Sequence, residues 1–202
     1  MNQIVTDILK WAYAKSLAYL TQPAGGVGIV EMLGSGYSVD ADRADKATKL
    51  MALCEAAVSN PDWIAHDITG DGIPETFCNR AAASIAAGMG SQDLREDMSA
   101  NQMILHMSAL AGWREEFDLE RVPQLAQRGV LVMLVAPGAR HGHIVAATPL
   151  PSEDSSTWGQ KVPMVAQVGT AAVGNGIKRL SAAFKAEDRY GLRIFIFEAS
   201  EA

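Results

Sequence analysis

Cys78 lies in the run Glu75-Thr76-Phe77-Cys78-Asn79, at the mouth of an alanine-rich segment, and far downstream His141-Gly142-His143 opens a strongly apolar one. A thiol at the start of a helix and an imidazole on a distant strand are the two halves of a nucleophile and its base. A free thiol is mostly protonated near neutral pH, whereas a helix N-terminus and a neighbouring imidazolium both favour the thiolate. Such pairs are brought together by the fold, not by a local loop, so the separation in sequence is expected. The competing reading of Cys78 is a small buried hydrophobe, the common fate of a free cysteine.

His143 directly precedes Ile144-Val145-Ala146, and His141 two residues earlier is its rival as the base. On a strand both would face one side. Two histidines at this spacing could also hold a metal, but no further Cys, His or Asp stands at a recognisable spacing, so no metal is assigned. A third group should accept the other imidazole N–H. Gln167, in Val165-Ala166-Gln167-Val168-Gly169, is the best-placed polar residue, with a solvent-facing glutamine as the alternative and Asn175 as a weaker candidate. The backbone N–H of Cys78 would meet an oxyanion, with Asn79 helping to shape that turn.

Asp67-Ile68-Thr69-Gly70-Asp71-Gly72 partly follows a calcium loop, with oxygen ligands at positions 1, 3 and 5 and glycine at 6. Position 12 should be Glu and is Cys78, so a turn that positions Cys78 is expected and a looser calcium site is the alternative. Trp63 and Trp113 could line a substrate groove, or simply pack. His66 and His106 have no evident partner and read as structural. Cys54 falls in a helical apolar pattern and reads as core.

These residues need elements to hold them. Residues 3–20 carry Ile4, Ile8, Trp11, Leu17 and Leu20 near helical spacing, and Gln22 to Ser38 is a glycine-rich loop. Asp40 to Val58 reads as a helix capped by Asp40 or Asp42 and ended by Asn60-Pro61. Residues 78–88 form a short alanine-rich helix, 99–112 another, and Val122 to Arg128 a third, stopped by Gly129. Val130–Ala136, His143–Thr148, Val162–Val168 and Leu192–Phe197 read as strands, and Ser152 to Gln160 as an exposed loop. Helices first and strands second predict one α+β domain with a mostly antiparallel sheet.

The 202 residues are enough for one domain with a real core, and 49% hydrophobic with 20% charged residues is an ordinary globular balance. A net charge of −6 with no cluster of Lys and Arg argues against a nucleic-acid partner. Met1 to Leu20 is interrupted by Asp7, Lys10 and Lys15, which predicts neither a signal peptide nor a membrane span. The expectation is a protein made in the cytoplasm, and exported or released if it acts outside. Two cysteines without a disulfide framework fit a free thiol.

The order of these pieces resembles the papain-like peptidoglycan hydrolases, the NlpC-type and CHAP-type cysteine amidases and endopeptidases. The pieces that match are Thr76-Phe77-Cys78-Asn79, the Ala126-Gln127-Arg128-Gly129 turn before the Val130 strand, and Gly142-His143-Ile144-Val145-Ala146. Some phage lysins and secreted antibacterial amidases carry a similar Thr-aromatic-Cys-Asn sequence after an Asp/Gly-rich loop. The resemblance covers roughly residues 60–198 and leaves residues 1–60 as an N-terminal helical extension. It implies a papain-like core in which Cys78, His143 and Gln167 are catalytic, Asn79, His141 and Trp63 meet substrate, and no cofactor is used. The implied substrate is the stem peptide of peptidoglycan, with an immunity protein as partner if the chain is a secreted effector. Rival expectations are a binding module with an inert cysteine, and a thiol peptidase or acyltransferase acting on protein.

Overall fold

The computed structural model describes residues 37–72, 74–139, 141–169 and 173–197. The helix expected at residues 3–20 and nearly all of the following glycine-rich loop lie outside the described residues. Helix α1 spans Tyr37–Val58, so Asp40 and Asp42 lie within it and neither occupies the N-cap position; Asp42 pairs with Lys46 one turn on, 2.7 Å away. Leu50 and Cys54 are fully buried, and α1 packs against the next helix and against the sheet.

Helix α2 is Cys78–Gly88, the alanine-rich segment, with Ala81, Ala82, Ala83, Ile85 and Ala86 buried. Small side chains let its backbone approach its neighbours closely. A Cβ on Gly88 would overlap the end of Leu53 on α1. Helix α3, Ala100–Ala109, begins with a capping box: Ser99 accepts from the Gln102 N–H while the Gln102 side chain accepts from the Ser99 N–H. It stops three residues short of the expected end because residues 113–116 turn into strand β1, Trp113–Glu116. That strand, Trp-Arg-Glu-Glu, is short and charged and carries no apolar run to announce it. Helix α4, Val122–Gln127, has Pro123 in its first turn, and Gly129 follows at φ 74°.

The remaining strands are β2 (Leu131–Ala136), β3 (His143–Ala147), β4 (Glu153–Ser155), β5 (Gln160–Val162), β6 (Met164–Gln167), β7 (Gly176–Arg179) and β8 (Arg193–Phe197), with a one-turn helix α5 (Leu180–Ala183) after β7. Five of them join β1 in an antiparallel sheet in the order β1-β8-β2-β3-β6-β7. Strand β2 is buried along its whole length, as a continuous Leu-Val-Met-Leu-Val-Ala run requires. The molecule is an α+β domain with helices packed on a mostly antiparallel sheet. Two expectations are corrected. Residues 152–160 are not a bare loop: β4 and β5 pair as a separate hairpin that carries the buried Trp158. The apolar run 162–168 is not one strand either, since Pro163 separates β5 from β6. Among the described residues no helix is long and apolar enough to cross a membrane.

Candidate active site

Cys78 is the first residue of α2, and the residue before it, Phe77, makes no side-chain hydrogen bond to cap the helix. The first amides of α2 are thus left unpaired within the helix and point toward the thiol end. Phe77 is buried instead, with the His66 ring 5.3 Å from its centroid and the Arg80 guanidinium 5.2 Å away. An apolar anchor thus stands where a polar side-chain cap is usual.

Helix α2 packs on β3, whose first residue is His143. Strand β6 pairs antiparallel with β3 through Ala146↔Ala166 and Ala147↔Val165. Continued at that register, Gln167 falls opposite Val145, on the same face as His143 and diagonal to it. The side chains meet there, with His143 Nε2 2.8 Å from Gln167 Oε1. Gln167 is only 2% exposed, so no bulk water competes for that bond. Of the two expectations for Gln167, the inward one holds. Nε2 being occupied, Nδ1 is the ring nitrogen left for Cys78.

Cys78 and His143 line the same cleft, and each changes the other's proton affinity. Burial pushes the Cys78 thiol up, but the hydrogen bond and charge of His143, the Ile144 N–H and the Thr76 hydroxyl together hold it below its ordinary value. Burial likewise disfavours the imidazolium. The contact with Cys78, the Gln167 oxygen and the charge of Asp188 override it and raise His143 above its ordinary value. Both directions favour a thiolate–imidazolium pair. Cys54 shows what burial does without such partners: its thiol is pushed up to about 12 by burial, with a smaller contribution from the charge of Glu55. Both cysteines are free, and only Cys78 opens onto the cleft.

That cleft encloses about 740 Å³. One wall is formed by Thr69, Asp71 and residues 74–76, another by residues 136–139 and 141–143, and a third by Phe184 with Asp188. Phe184 lies against the imidazole, ring centroids 5.2 Å apart. No protein-family model matches this chain, and no curated protein matches it.

The expected site residues fall as follows. Cys78, His143 and Gln167 come together, and Asn79 and His141 line the cleft. The Asn79 amide also donates to the Glu96 carbonyl at 2.6 Å, tying α2 to the chain before α3. His141 does not share a strand face with His143: the chain turns at Gly142, φ 71°, and β3 begins after it. Trp63 does not line the cleft. It packs half-buried against the core, and its carbonyl accepts from Asn175, whose own oxygen accepts from the Gly169 N–H. Trp113 is buried on β1, donating to Asp93. Asn175 is therefore a tether beside the site and not the partner of His143.

The Asp67 carboxylate accepts from the Gly70 and Gly72 amides, at 2.6 and 2.7 Å, and the Glu75 carboxylate accepts from the Ile68 amide at 2.6 Å. Both acids are spent on folding the turn, with Gly70 and Gly72 at positive φ, and Cys78 follows it directly. Among the described residues no group of three or more His, Cys, Asp or Glu is gathered for a metal ion.

Several residues had no role assigned from sequence. Asn101, on the first turn of α3, exchanges two hydrogen bonds with Gly138, at 2.8 and 3.1 Å, and its own amide donates to the His141 carbonyl at 3.0 Å. It clasps the loop that leads into His143. A Cβ on Gly142 would stand 2.7 Å from the Asn101 oxygen and 2.8 Å from the Ala136 carbonyl, so this glycine is required for space as well as for its φ. Gly169 is required for space too, since a Cβ there would overlap the Gln167 amide. Phe184 and Asp188 reach the cleft from the segment between β7 and β8, and no spacing in the sequence marks them.

Proposed function

We propose that this chain is a papain-like cysteine hydrolase that cleaves peptide or amide bonds in bacterial peptidoglycan. The observation that supports the hydrolase part is the grouping of Cys78, the first residue of α2, with His143 in one cleft, the imidazole lying 2.8 Å from the Gln167 oxygen. The cell-wall part rests on the likeness of Thr76-Phe77-Cys78-Asn79 and Gly142-His143-Ile144-Val145-Ala146 to the NlpC-type and CHAP-type segments. A cleft of about 740 Å³ with the sulfur on its wall has room for a short peptide.

In this reading the Cys78 thiolate attacks the scissile carbonyl carbon. A C–S bond forms and the π pair moves to oxygen, where the Cys78 N–H receives it. On collapse the C–N bond breaks, and His143 delivers its Nδ1 proton to the departing amine. A thioester remains on Cys78. Water then attacks it, passing a proton to Nδ1, and the second collapse expels the thiolate and restores the resting pair. Gln167 keeps Nε2–H satisfied throughout, fixing the ring and stabilising its cationic form. No cofactor enters these steps.

Purified peptidoglycan incubated with wild type and with Cys78→Ala, followed by mass spectrometry of the soluble fragments, tests the proposal. Fragments released by wild type alone are the expected result, and their new ends name the bond. No fragments, with Cys78 still quickly alkylated, would move the substrate to another peptide or a protein. No fragments and an unreactive thiol would make the fold a binding module.

A further inference from the structure

The bond between His143 and Gln167 is made by the end of a flexible side chain, whose last torsion, at the amide, has a broad energy minimum. Burial confines that amide but does not align it. The backbone of Gly169 does more. A Cβ there would overlap the Gln167 amide nitrogen and stand 3.4 Å from His143 Cε1, so bare backbone lies against the amide and the edge of the imidazole together. The sheet does not hold Gly169 in this place. Strand β6 ends at Gln167, whose partner Gly176 is the first residue of β7, and the ladder stops at that pair. The buried Gly169 is held by a side chain instead, its N–H donating to the Asn175 oxygen at 3.2 Å. The nitrogen of the same amide donates to the Trp63 carbonyl at 3.1 Å. Trp63 closes the short helical turn Pro61–Trp63, in the chain that runs on to Cys78. With its donor and its acceptor both engaged, the Asn175 amide has one orientation.

We infer that Asn175 is a positioning residue, which pins Gly169 so that Gly169 in turn holds the Gln167 amide on His143. The inference rests on the cysteine-hydrolase reading above, in which Gln167 supports the base, but not on the identity of the natural substrate. Without the Asn175 oxygen, the buried Gly169 N–H loses its acceptor and regains one only by moving. That movement opens space beside the Gln167 amide. The glutamine oxygen then meets the imidazole N–H less often, and the cationic ring loses part of its support. Asn175 therefore acts on the site through Gln167, a dependence that a residue needed only for stability would not show.

The reporter is the rate at which iodoacetamide alkylates Cys78, followed across pH with Cys78→Ala as the background. Alkylation needs the thiolate, which the imidazolium favours, so weaker support of the cation moves its onset to higher pH. Onsets are measured for wild type, Gln167→Met, Asn175→Ala and the two substitutions combined. Asn175→Ala is expected to raise the onset by about half a pH unit or more, about a threefold loss of rate on the acid limb. In the Gln167→Met background it is expected to add nothing, because the amide it aligns is gone. Asn175→Asp keeps an acceptor for the Gly169 N–H and is expected to hold the onset at or below that of wild type. An unmoved onset in Asn175→Ala, a further rise in the double variant, or a rise in Asn175→Asp would each overturn the inference. Thermal melting above the assay temperature verifies that the alanine variant is folded; if it is not, the aspartate variant decides alone. A wild-type thiol that reacts only at the ordinary thiol value would bring down the hydrolase reading and this inference with it. A lowered wild-type onset that Gln167→Met raises and Asn175→Ala leaves alone would remove the positioning role only.

Discussion

The hydrogen bond between Gln167 and His143 offers the sharpest test of how the site works. Replacing Gln167 by Met keeps most of the volume and removes the acceptor. The bond is 2.8 Å long and its glutamine is 2% exposed, so water is excluded from taking the vacated place. A buried hydrogen bond to a charged group contributes about 1.5–3 kcal/mol. Part of that energy is specific to the imidazolium, which must be present at rest and as the amine leaves. At about 1.4 kcal/mol per decade of rate, kcat should fall roughly tenfold to a hundredfold. The pH profile carries a second signature. His143 is raised above its ordinary value partly by this bond, so the alkaline limb of kcat/KM should move toward lower pH in Gln167→Met. Gln167→Glu, a charged acceptor, should move it the other way. The assay is initial hydrolysis of soluble peptidoglycan fragments across pH, with thermal melting to verify folding. A methionine variant with wild-type kcat and an unmoved alkaline limb would refute the idea that Gln167 holds the cation.

Three further outcomes follow from the site and its loops. Alkylation of the native protein should label Cys78 well below the usual thiol range and leave Cys54 untouched, because the one thiol is lowered by its partners and the other is pushed up to about 12. The thiolate is lost as pH falls through the lowered Cys78 value, and the imidazolium as pH rises through the raised His143 value. Hydrolysis should therefore peak between them, and a single limb at the ordinary thiol value would argue against the pair. Gly142→Ala combines a left-handed φ of 71° with two contacts under 3 Å, so it should lower stability by about 2 kcal/mol or more. Gly70→Ala shares the positive φ but meets nothing within 4 Å. Urea midpoints for the two variants separate strain from overlap, and equal losses would mean that the Asn101 clasp does not hold the loop.

Much of the scaffold could be read from local pattern. The runs at 131–136, 143–147 and 193–197 are apolar because both faces of those strands are covered, and helix 78–88 is uniform enough in alanine to fix its limits. Strand β1 escaped because Arg114, Glu115 and Glu116 look like a solvated turn. They stay in a strand because Trp113 packs on Phe197 and Arg193 bonds Glu115 at 2.7 and 2.6 Å from the neighbouring strand. Cys78, His143 and Gln167 were legible because each stands at the start of an element or on an apolar strand where a polar group is conspicuous. Asn101, Phe184 and Asp188 were not. They act on the site across long stretches of chain, and only the packing of α3 and of the segment after α5 brings them there. Trp63 misled because an aromatic residue near a nucleophile has the same appearance in sequence whether it faces a groove or the core.

The strand order has a consequence for the time at which the protein comes to exist. Strand β8, residues 193–197, does not join an edge but sits between β1 and β2. On the ribosome, β1 emerges long before the strand that must fill the gap beside it. At roughly 5–20 residues per second the wait is roughly 4–15 s. During it β2 lacks one neighbour and the sheet beneath the cleft stays open. The nucleophile, its base and its glutamine have all been synthesised by then, yet the platform that aligns them has not closed. A nascent chain halted before residue 193 would carry every reactive group on a sheet in which β1 is not yet joined to β2.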